Sequence, residues 1–275
     1  MRIKFMMIID AHTHIGKYDK KIVTPEMTIK ALDNAGIDRA LVFANEYKTP
    51  DFGITTEEIV ASAINNPRLY AIGTASPFSL NVERLGYLKG IIKDRLVRGI
   101  KFYLGYEHFY ASDERLNPLY EILSEESLPA IFHTGYLFNS KTGLLKYAYP
   151  LTIDDLAVKF PDLKIIIAHM GNPWITDCAA VAFRHPNVYL DISGYFTELK
   201  KPFAKAEVAA FKLDITRLRD FFGLGRKIIF ATDWPICDMP EYLQACENLF
   251  SNKNEKELFY WKNAANLFQL SLSVK

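Results

Sequence analysis

The 275-residue chain carries 33 basic and 32 acidic side chains, and 49% of its residues are hydrophobic. The balanced charge argues against nucleic acid or an anionic membrane as the main partner and leaves small molecules. The three cysteines form no CxxC pair, so neither a zinc ribbon nor a disulfide scaffold is expected. The apolar run at residues 5–9 is too short for a signal peptide, and no run reaches the roughly 18 residues that cross a bilayer. We therefore expect one cytoplasmic domain over residues 1–275.

Eight short runs rich in β-branched and aromatic residues alternate with longer stretches of helical periodicity. Each run is too apolar on both faces for an exposed antiparallel sheet, which predicts buried parallel strands. In chain order the runs are MMIIDAH, DRALVFA, RLYAIGTAS, RGIKFYL, LPAIFHT, LKIIIAHM, NVYLDIS and RKIIFATD.

The segments between these runs carry the signals of helix ends. Thr24 can cap a helix in which Pro25 is the first residue, and Gly36 ends that element. Three further residues stand before helical patterns and are predicted to cap them: Asn117, Thr152 and Asn172.

Helical periodicity also predicts which side chains face the core. Apolar residues three or four positions apart lie on one face of a helix. We therefore expect these residues to point inward: Met27, Ala31, Leu32 and Ala35 in the first helix, Ile59, Val60, Ala63 and Ile64 in the second, and Val82, Leu85, Leu88 and Ile92 in the third.

Eight strand–helix units predict an α/β fold, a (β/α)8 TIM barrel. Helices over residues 204–222 and 240–250 complete the alternation, and residues 254–270 form an additional C-terminal helix. A doubly wound open sheet is the alternative, but the first strand–helix turn has no GxGxxG. Residues 139–150 lack clear periodicity and are predicted to form a loop over the barrel mouth.

Reactive side chains stand where the predicted strands end, which in such a barrel is the catalytic face. His12 and His14 lie two residues apart, so on a strand they face the same way, about 6.6 Å apart at their backbones. Zinc binds three or four nitrogen or oxygen donors and can keep one position for water. His133 after the fifth strand and Asp233 after the eighth supply the missing donors. The pattern therefore predicts a metal site, against the alternative that each histidine is an ordinary core residue.

Several other polar residues have interpretations that the sequence leaves open. Asp10 and Asp191 can orient a ligand imidazole or simply hold strand ends together. Lys101 can bind a substrate carboxylate from the rim. His108 can reach substrate or pack, and His185 is expected in a surface loop at the opposite end of the barrel.

Aromatic residues near the strand ends are predicted to line the barrel mouth, although packing is the commoner role of such side chains. They are Tyr103, Tyr106, Tyr136, Trp174 and Trp234, of which Tyr103 and Trp174 are the candidates for substrate binding together with Lys101 and His108. Cys237 follows Trp234 and is expected to be a packed thiol rather than a nucleophile.

The segments DAHTHIG, GIKFY, FHTG, AHMGNPW, YLDISG, ATDWP and NAANLF occur in this order along the chain. Together they resemble the amidohydrolase superfamily, in the branch typified by aminocarboxymuconate-semialdehyde decarboxylase. The resemblance implies a distorted barrel with one divalent metal ion, usually zinc, and makes a homodimer plausible. Some relatives of the superfamily have a carboxylated lysine that bridges two metals, so the resemblance also gives Lys101 this second, less favoured role. By position, the implied metal ligands are His12, His14, His133 and Asp233, and His169 resembles the residue that orients the metal-activated water or the substrate.

Two reactions compete within this chemistry. Attack of a metal-activated water on a carbonyl substrate gives hydrolysis, with Asp233 as proton acceptor and His169 as hydrogen-bonding partner and later proton donor. Protonation of a substrate carbon followed by loss of CO2 gives non-oxidative decarboxylation of a small aromatic or unsaturated carboxylic acid at the same site. The breadth of the superfamily favours hydrolysis. A metal-binding scaffold without activity is the third hypothesis, which the presence of His169 and Asp233 disfavours.

Overall fold

The computed structural model describes residues 6–18, 21–46, 52–138, 140–196 and 202–272. Residue 5 of the N-terminal apolar run and Asn139 of the predicted loop lie outside this part. Eight strands form one parallel sheet in chain order. They are Ile9–His14, Arg39–Phe43, Leu69–Thr74, Ile100–Phe102, Ala130–Phe132, Ile165–Ile167, Val188–Asp191 and Ile228–Ile229. Seven of these strands lie within the predicted runs, and the first begins within its run and extends two residues beyond it, to His14.

The chain after the eighth strand returns to the first strand and closes the barrel. The Asp233 N–H donates to the His12 carbonyl over 2.9 Å, and the His14 N–H donates to the Trp234 carbonyl. A parallel bridge between Thr13 and Trp234 continues this seam. The (β/α)8 barrel is confirmed, and its closure brings the HxH segment beside Asp233.

The strands bury side chains on both faces. Residues such as Val42, Phe102 and Phe132 pack against the surrounding helices, and their neighbours fill the barrel interior. This two-sided burial explains why the runs are apolar throughout. The interior positions are occupied by Ile9, Leu41, Ile72, Ile131, Ile166 and Ile229.

Helices surround the barrel between the strands. In the first of them, Thr24 accepts from the Met27 N–H and Gly36 ends the helix with φ of 73°, as predicted. The surrounding helices are Pro25–Ala35, Thr56–Ile64, Val82–Lys93, Asn117–Glu125, Thr152–Lys159, Ile175–Arg184, Lys205–Thr216 and Met239–Ala245.

Three predictions of inward-facing residues are wrong. Met27 is 46% exposed, Ile64 66% and Val82 90%. Each lies in the first or last turn of its helix. Periodicity assumes that the whole helix contacts the core, but these helix ends reach past the sheet, so only the central turns are covered.

The three further caps are also wrong. Asn117 and Thr152 are the first residues inside their helices, and Asn172 lies three residues before the helix Ile175–Arg184. The Thr152 hydroxyl donates to the Tyr149 carbonyl over 2.7 Å instead of accepting from the helix. Asparagine and threonine also stabilise turns, so their presence before a helical pattern does not fix the first residue.

The additional C-terminal helix runs over residues 253–267 as the segments Lys253–Glu257 and Asn263–Leu267, joined by the wider turn Leu258–Lys262. It covers the amino-terminal ends of the strands. The Gln269 carbonyl accepts from Arg98, and its side-chain amide donates to the carbonyls of Glu126 and Ser127 before the fifth strand. The C-terminal helix and the residues after it therefore close this end of the barrel.

Two short structures lie near the mouth. A three-stranded antiparallel sheet is built from Gly16–Tyr18, Lys21–Val23 and Phe52–Gly53. Residues 140–150 contain no helix or strand, and the Leu144 N–H donates to the Gly105 carbonyl beyond the fourth strand over 2.9 Å. Within the residues that the structure describes, no helix combines the length and the apolar character needed to cross a membrane.

Candidate metal centre and active site

The carboxyl ends of the strands enclose a cavity of about 60 Å³. Its lining includes His12, His14, Lys101, Tyr103, His133, His169 and Asp233. Residues from the first, fourth, fifth, sixth and eighth strand ends therefore meet at one place, as the barrel topology requires.

His12, His14 and Asp233 form one group of possible metal ligands at the seam of the barrel. One ligand atom from each lies within 4.8 Å of the other two. Oδ1 of Asp233 lies 3.2 Å from Nε2 of His14 and 3.8 Å from Nε2 of His12. This oxygen is buried and makes no hydrogen bond to the described residues. A buried, unpaired carboxylate oxygen facing two imidazole nitrogens fits a bound divalent cation.

Asp191 fixes the orientation of the His12 ring. Nδ1 of His12 lies 3.0 Å from Oδ2 of Asp191. A carboxylate only accepts hydrogen bonds, so Nδ1 carries the proton and Nε2 keeps its lone pair. Ser193 supports the pair, because its hydroxyl donates to Oδ1 of Asp191 and its oxygen lies 3.1 Å from Nδ1 of His12.

His133 and His169 form a second imidazole pair. Nδ1 of His133 lies 3.1 Å from Nε2 of His169, and Nε2 of His133 lies 2.9 Å from the Tyr136 carbonyl. That carbonyl can only accept, which places the proton of His133 on Nε2. His133 belongs to neither of the ligand groups found among the described residues, whereas His169 forms the second group with His12 and Asp191.

Burial determines the protonation of these groups. It lowers the pKa of His12 to about 3, with the positive charge of Lys101 acting in the same direction. Burial likewise lowers the pKa of His133 and of His169. Burial by itself would raise the pKa of Asp233, but His14, His169 and His12 together outweigh it and hold the pKa below its ordinary range. Neutral imidazoles and an ionised carboxylate are the states in which these groups bind metals.

Gly194 makes room for this arrangement. A Cβ at this position would lie 2.8 Å from Oδ2 of Asp233 and 2.9 Å from Nδ1 of His169. Its φ of 62° is also one that other residues rarely adopt. Only a glycine therefore allows the backbone to come this close to the two side chains.

Lys101 lies at the floor of the cavity rather than on its rim. The residue is fully buried, and its Nζ lies 3.4 Å from Nε2 of His12. The rings of Phe43 and Tyr103 lie 5.4 and 5.6 Å from the ammonium group. Burial lowers the pKa of Lys101 to about 8. The nearby carboxylates of Asp191 and Asp233 act on the pKa in the opposite direction, and the residue lines the cavity.

Asp10 holds strand ends together. Its carboxylate accepts from the Thr232 hydroxyl over 2.6 Å and from the Thr232 N–H over 3.0 Å. Burial raises the pKa of Asp10 to about 7. Of the two interpretations of Asp10 and Asp191, the structure shows the structural role for Asp10 and the orienting role for Asp191.

Two predicted substrate-binding residues do not line the cavity. Trp174 packs edge-on against Tyr149. Nε2 of His108 lies 2.9 Å from the Thr142 carbonyl, and its ring stacks on Tyr147. Both side chains follow their strand ends by several residues, and the intervening turns carry them away from the barrel axis.

Two further expectations concern residues outside the cavity. His185 is buried rather than in a surface loop, because its Nε2 lies 2.7 Å from Oδ1 of Asp154. That partner is on another helix, which the sequence pattern around His185 could not reveal. Cys237 is a buried thiol as expected, with its Sγ 3.0 Å from the Phe196 carbonyl.

Ser193, Gly194 and Asn45 belong to the site but were not identified from the sequence. Ser193 and Gly194 lie within the YLDISG segment, which is one of the motifs that carry the family resemblance. The resemblance assigns no role to either residue. Asn45 follows the second strand, and no motif in the sequence marks it as a residue of the site. Its place in the cavity depends on the alternation of the strand before it.

The chain is similar to known proteins over most of its length. A sequence model described as amidohydrolase matches residues 9–270. A γ-resorcylate decarboxylase of Polaromonas sp. is 27% identical over 156 residues, which cover 50% of this chain and 43% of that protein. An L-rhamnono-γ-lactonase of Scheffersomyces stipitis is 23% identical over 171 residues, 50% of each chain. The chain thus matches about half the length of these curated relatives.

A solved structure shares the fold. It is a 5-carboxyvanillate decarboxylase from Novosphingobium aromaticivorans with bound manganese and 3-methoxy-4-hydroxy-5-nitrobenzoic acid. Its TM-score is 0.71 at 16% identity, with 98% of each chain covered. The family match spans nearly the whole barrel, including all four of the predicted metal ligands. The chain therefore belongs to the amidohydrolase family.

Proposed function

We propose that this protein is a metal-dependent enzyme that removes CO2 from a small aromatic or unsaturated carboxylic acid. The observation that carries the proposal is the buried ammonium of Lys101, 3.4 Å from Nε2 of His12 at the floor of the cavity. A cation in a dry site attracts an anionic group strongly, so a substrate carboxylate would be drawn to the ligand group. The decarboxylases among the proteins compared support this reaction over the hydrolysis that the sequence favoured.

We propose that His12, His14 and Asp233 hold the metal and that His133 is the fourth ligand, as its position predicts. The histidine-rich donor set suits zinc, whereas a related decarboxylase was crystallised with manganese. A bound divalent cation would neutralise and polarise the carboxyl group of the substrate. The cytoplasmic location and the homodimer remain predictions.

The chain supplies groups for the proton transfer that decarboxylation needs. The substrate carbon that bears the carboxylate gains a proton, and the carbon–carbon bond then breaks to release CO2 and leave its electron pair on the substrate. His169 is the proposed donor in its protonated, imidazolium form, because Nε2 of His169 faces the cavity next to Nδ1 of His133 and would carry the transferred proton, which solvent then restores. The hydroxyl of Ser193, 2.9 Å from Nδ1 of His169, holds the ring in place. His169→Ala should retain most of the metal and lose turnover, whereas loss of both would make His169 a ligand.

Hydrolysis of a lactone is the second candidate, which the similarity to the lactonase favours. The same residues would serve it, with His169 and Asp233 handling the protons of water. A lactone substrate needs no carboxylate, so this reaction does not require the charge of Lys101. The lysine therefore separates the two candidates.

The test uses metal-loaded protein, a panel of aromatic carboxylic acids and lactones, and detection of CO2 together with ring opening. We expect CO2 release from at least one acid and its loss in Lys101→Met, with Lys89→Met, at an exposed lysine, as control. Lactone opening without CO2 from any acid would establish hydrolysis instead. Metal analysis should find about one zinc ion per chain in the wild type and almost none in His12→Ala.

A further inference from the structure

A second cavity lies beside the first at the carboxyl ends of the strands. It measures about 450 Å³. Its lining comes largely from the chain after the second, third and fourth strands and includes Glu46, Ser76, Phe78, Arg84 and Glu107. Tyr106 lines both cavities, and its ring lies 4.7 Å from the ring of His133. The two cavities are therefore neighbours that share one wall.

The two cavities differ in size in a way that matters for a substrate. The cavity that holds the ligand group measures about 60 Å³, whereas sites for small organic ligands usually measure roughly 300–1,000 Å³. The second cavity lies within that range. The first cavity therefore has room for the reacting end of a substrate, and the remainder of the molecule needs the second.

Glu107 has a carboxylate oxygen that a ligand can reach. The Ser76 hydroxyl donates to Oε1 of Glu107 over 2.7 Å. Oε2 has no hydrogen-bond partner among the described residues and, unlike Oδ1 of Asp233, is not fully buried. The main chain is fixed, because the Glu107 N–H donates to the Tyr103 carbonyl over 3.0 Å and the Glu107 carbonyl accepts from the Gly105 N–H over 3.1 Å. One acceptor is therefore held in place at the second cavity.

Two arginines beside this cavity are already paired with other carboxylates. Arg84 donates to Glu46 over 2.8 and 3.0 Å and to Glu57 over 2.6 Å. Arg115 donates to Asp113 over 2.6 Å, and its guanidinium lies over the phenylalanine ring of the lining. Neither arginine is a partner of Glu107 in the part of the chain that the structure describes.

The pKa of Glu107 points to the same lack of a counter-charge. Burial raises this pKa, the Ser76 hydroxyl lowers it, and the negative charge of Glu46 raises it further. The group that opposes burial is thus a hydroxyl and not a cation. A carboxylate in a partly dry site attracts a positive charge more strongly than one in water does.

We propose that the second cavity binds the end of the substrate remote from the reacting carboxylate, and that Glu107 recognises a positively charged amino group there. This inference rests on the proposed function, in which the substrate carboxylate lies at Lys101. The ligand class is thus a carboxylic acid that carries an ammonium group at its far end. Glu107 would determine specificity without taking part in the reaction.

Calorimetry with the metal-loaded wild-type protein tests this assignment. The probes are 4-(aminomethyl)benzoate and 4-(2-aminoethyl)benzoate, with 4-ethylbenzoate and 4-propylbenzoate as their neutral isosteres. At least one amino-substituted acid should bind about tenfold more tightly than its isostere, because only the ammonium group can donate to the carboxylate. This preference should weaken at high salt. Equal affinities within both pairs would overturn the proposal without any variant.

Removal of the charge provides the second arm. Glu107→Gln keeps the shape of the side chain and should bind the preferred amino-substituted acid about tenfold more weakly, with the neutral isostere unaffected. Glu83→Gln removes an exposed carboxylate from the helix that carries Arg84 and should keep the preference. A preference that survives in folded Glu107→Gln contradicts the assignment. Should that variant not fold, the wild-type comparison decides alone.

Benzylamine, which has no carboxylate, separates this inference from the proposed function. Suppose that it binds the wild type and binds Glu107→Gln about tenfold more weakly, while no acid binds or releases CO2. The subsite for an amino group would then stand and decarboxylation would be refuted. CO2 release from an acid, with equal affinities within both pairs, would refute the subsite and leave decarboxylation in place. Failure of benzylamine and of every acid to bind would also refute the subsite.

Discussion

The two ends of the barrel bury side chains of opposite character. At the closed end, Leu267 and Phe268 pack against interior isoleucines such as Ile9 and Ile131. At the mouth, the buried groups are imidazoles, carboxylates and a lysine. Burial of apolar surface favours folding, whereas burial of charge opposes it unless partners compensate. Stability is therefore concentrated at the closed end, and reactivity at the mouth.

The backbone at the mouth is also strained. His169, Met170 and Asp233 have φ of 62°, 51° and 69°, a region that non-glycine residues rarely adopt. Each such residue costs on the order of 1–3 kcal/mol and persists only where the surroundings hold it. Two of the three are the proposed proton donor and a proposed metal ligand. Their conformation directs these side chains into the cavity.

The largest effect is expected from Asp233→Ala at the mouth. The variant should lose most of its metal and about a thousandfold or more in kcat/KM, since a metal ion supplies several kcal/mol to the transition state. Metal analysis and turnover measure both losses. Asp162→Ala, at an exposed position, is the matched control. Full metal content in Asp233→Ala would refute the proposed centre.

Phe268→Ala should have the opposite pattern at the closed end. Removal of this buried ring should lower the free energy of unfolding by about 3–5 kcal/mol. Urea denaturation measures the loss, and metal content per folded chain should be unchanged. A variant with normal stability but weakened metal binding would show that the two ends are not separate in function.

Asp191→Asn tests the support of His12. The amide no longer requires a proton on Nδ1 of His12, so metal affinity should fall by about 10- to 100-fold. Competition with a chelator measures the affinity. Asp154→Asn alters a second carboxylate–imidazole pair, the one with His185, and should leave metal binding unchanged. Equal effects of the two variants would point to general destabilisation.

The smallest effect concerns two glycines with positive φ. Gly36→Ala meets no atom within 4 Å and should cost only the backbone strain, about 1–2 kcal/mol. Gly194→Ala adds contacts with Asp233 and His169 to the same strain and should also weaken metal binding by about tenfold. Thermal unfolding measures the cost of the backbone strain, and metal titration measures the effect of the added side-chain contacts on metal binding. Loss of metal affinity in Gly36→Ala would contradict this division.

Much of the fold could be predicted because the signals were local. Each strand run is apolar on both faces, and Thr24 and Gly36 mark the ends of the first helix by their own side-chain and backbone properties. The errors at Met27, Ile64 and Val82 arose where a local pattern continued beyond the contact with the sheet. Helix periodicity reports which residues share a face, not how far the core extends along it.

The sequence by itself determined the strand–helix alternation and placed reactive residues at the strand ends. Spacing along the chain was sufficient, because a strand repeats every two residues and parallel strands end at one face. Only the tertiary structure decided that Asp191 and Ser193 hold His12, that His133 faces His169, and that Lys101 lies on the floor. These contacts join residues from different strands, and their geometry depends on barrel closure and burial rather than on any local pattern.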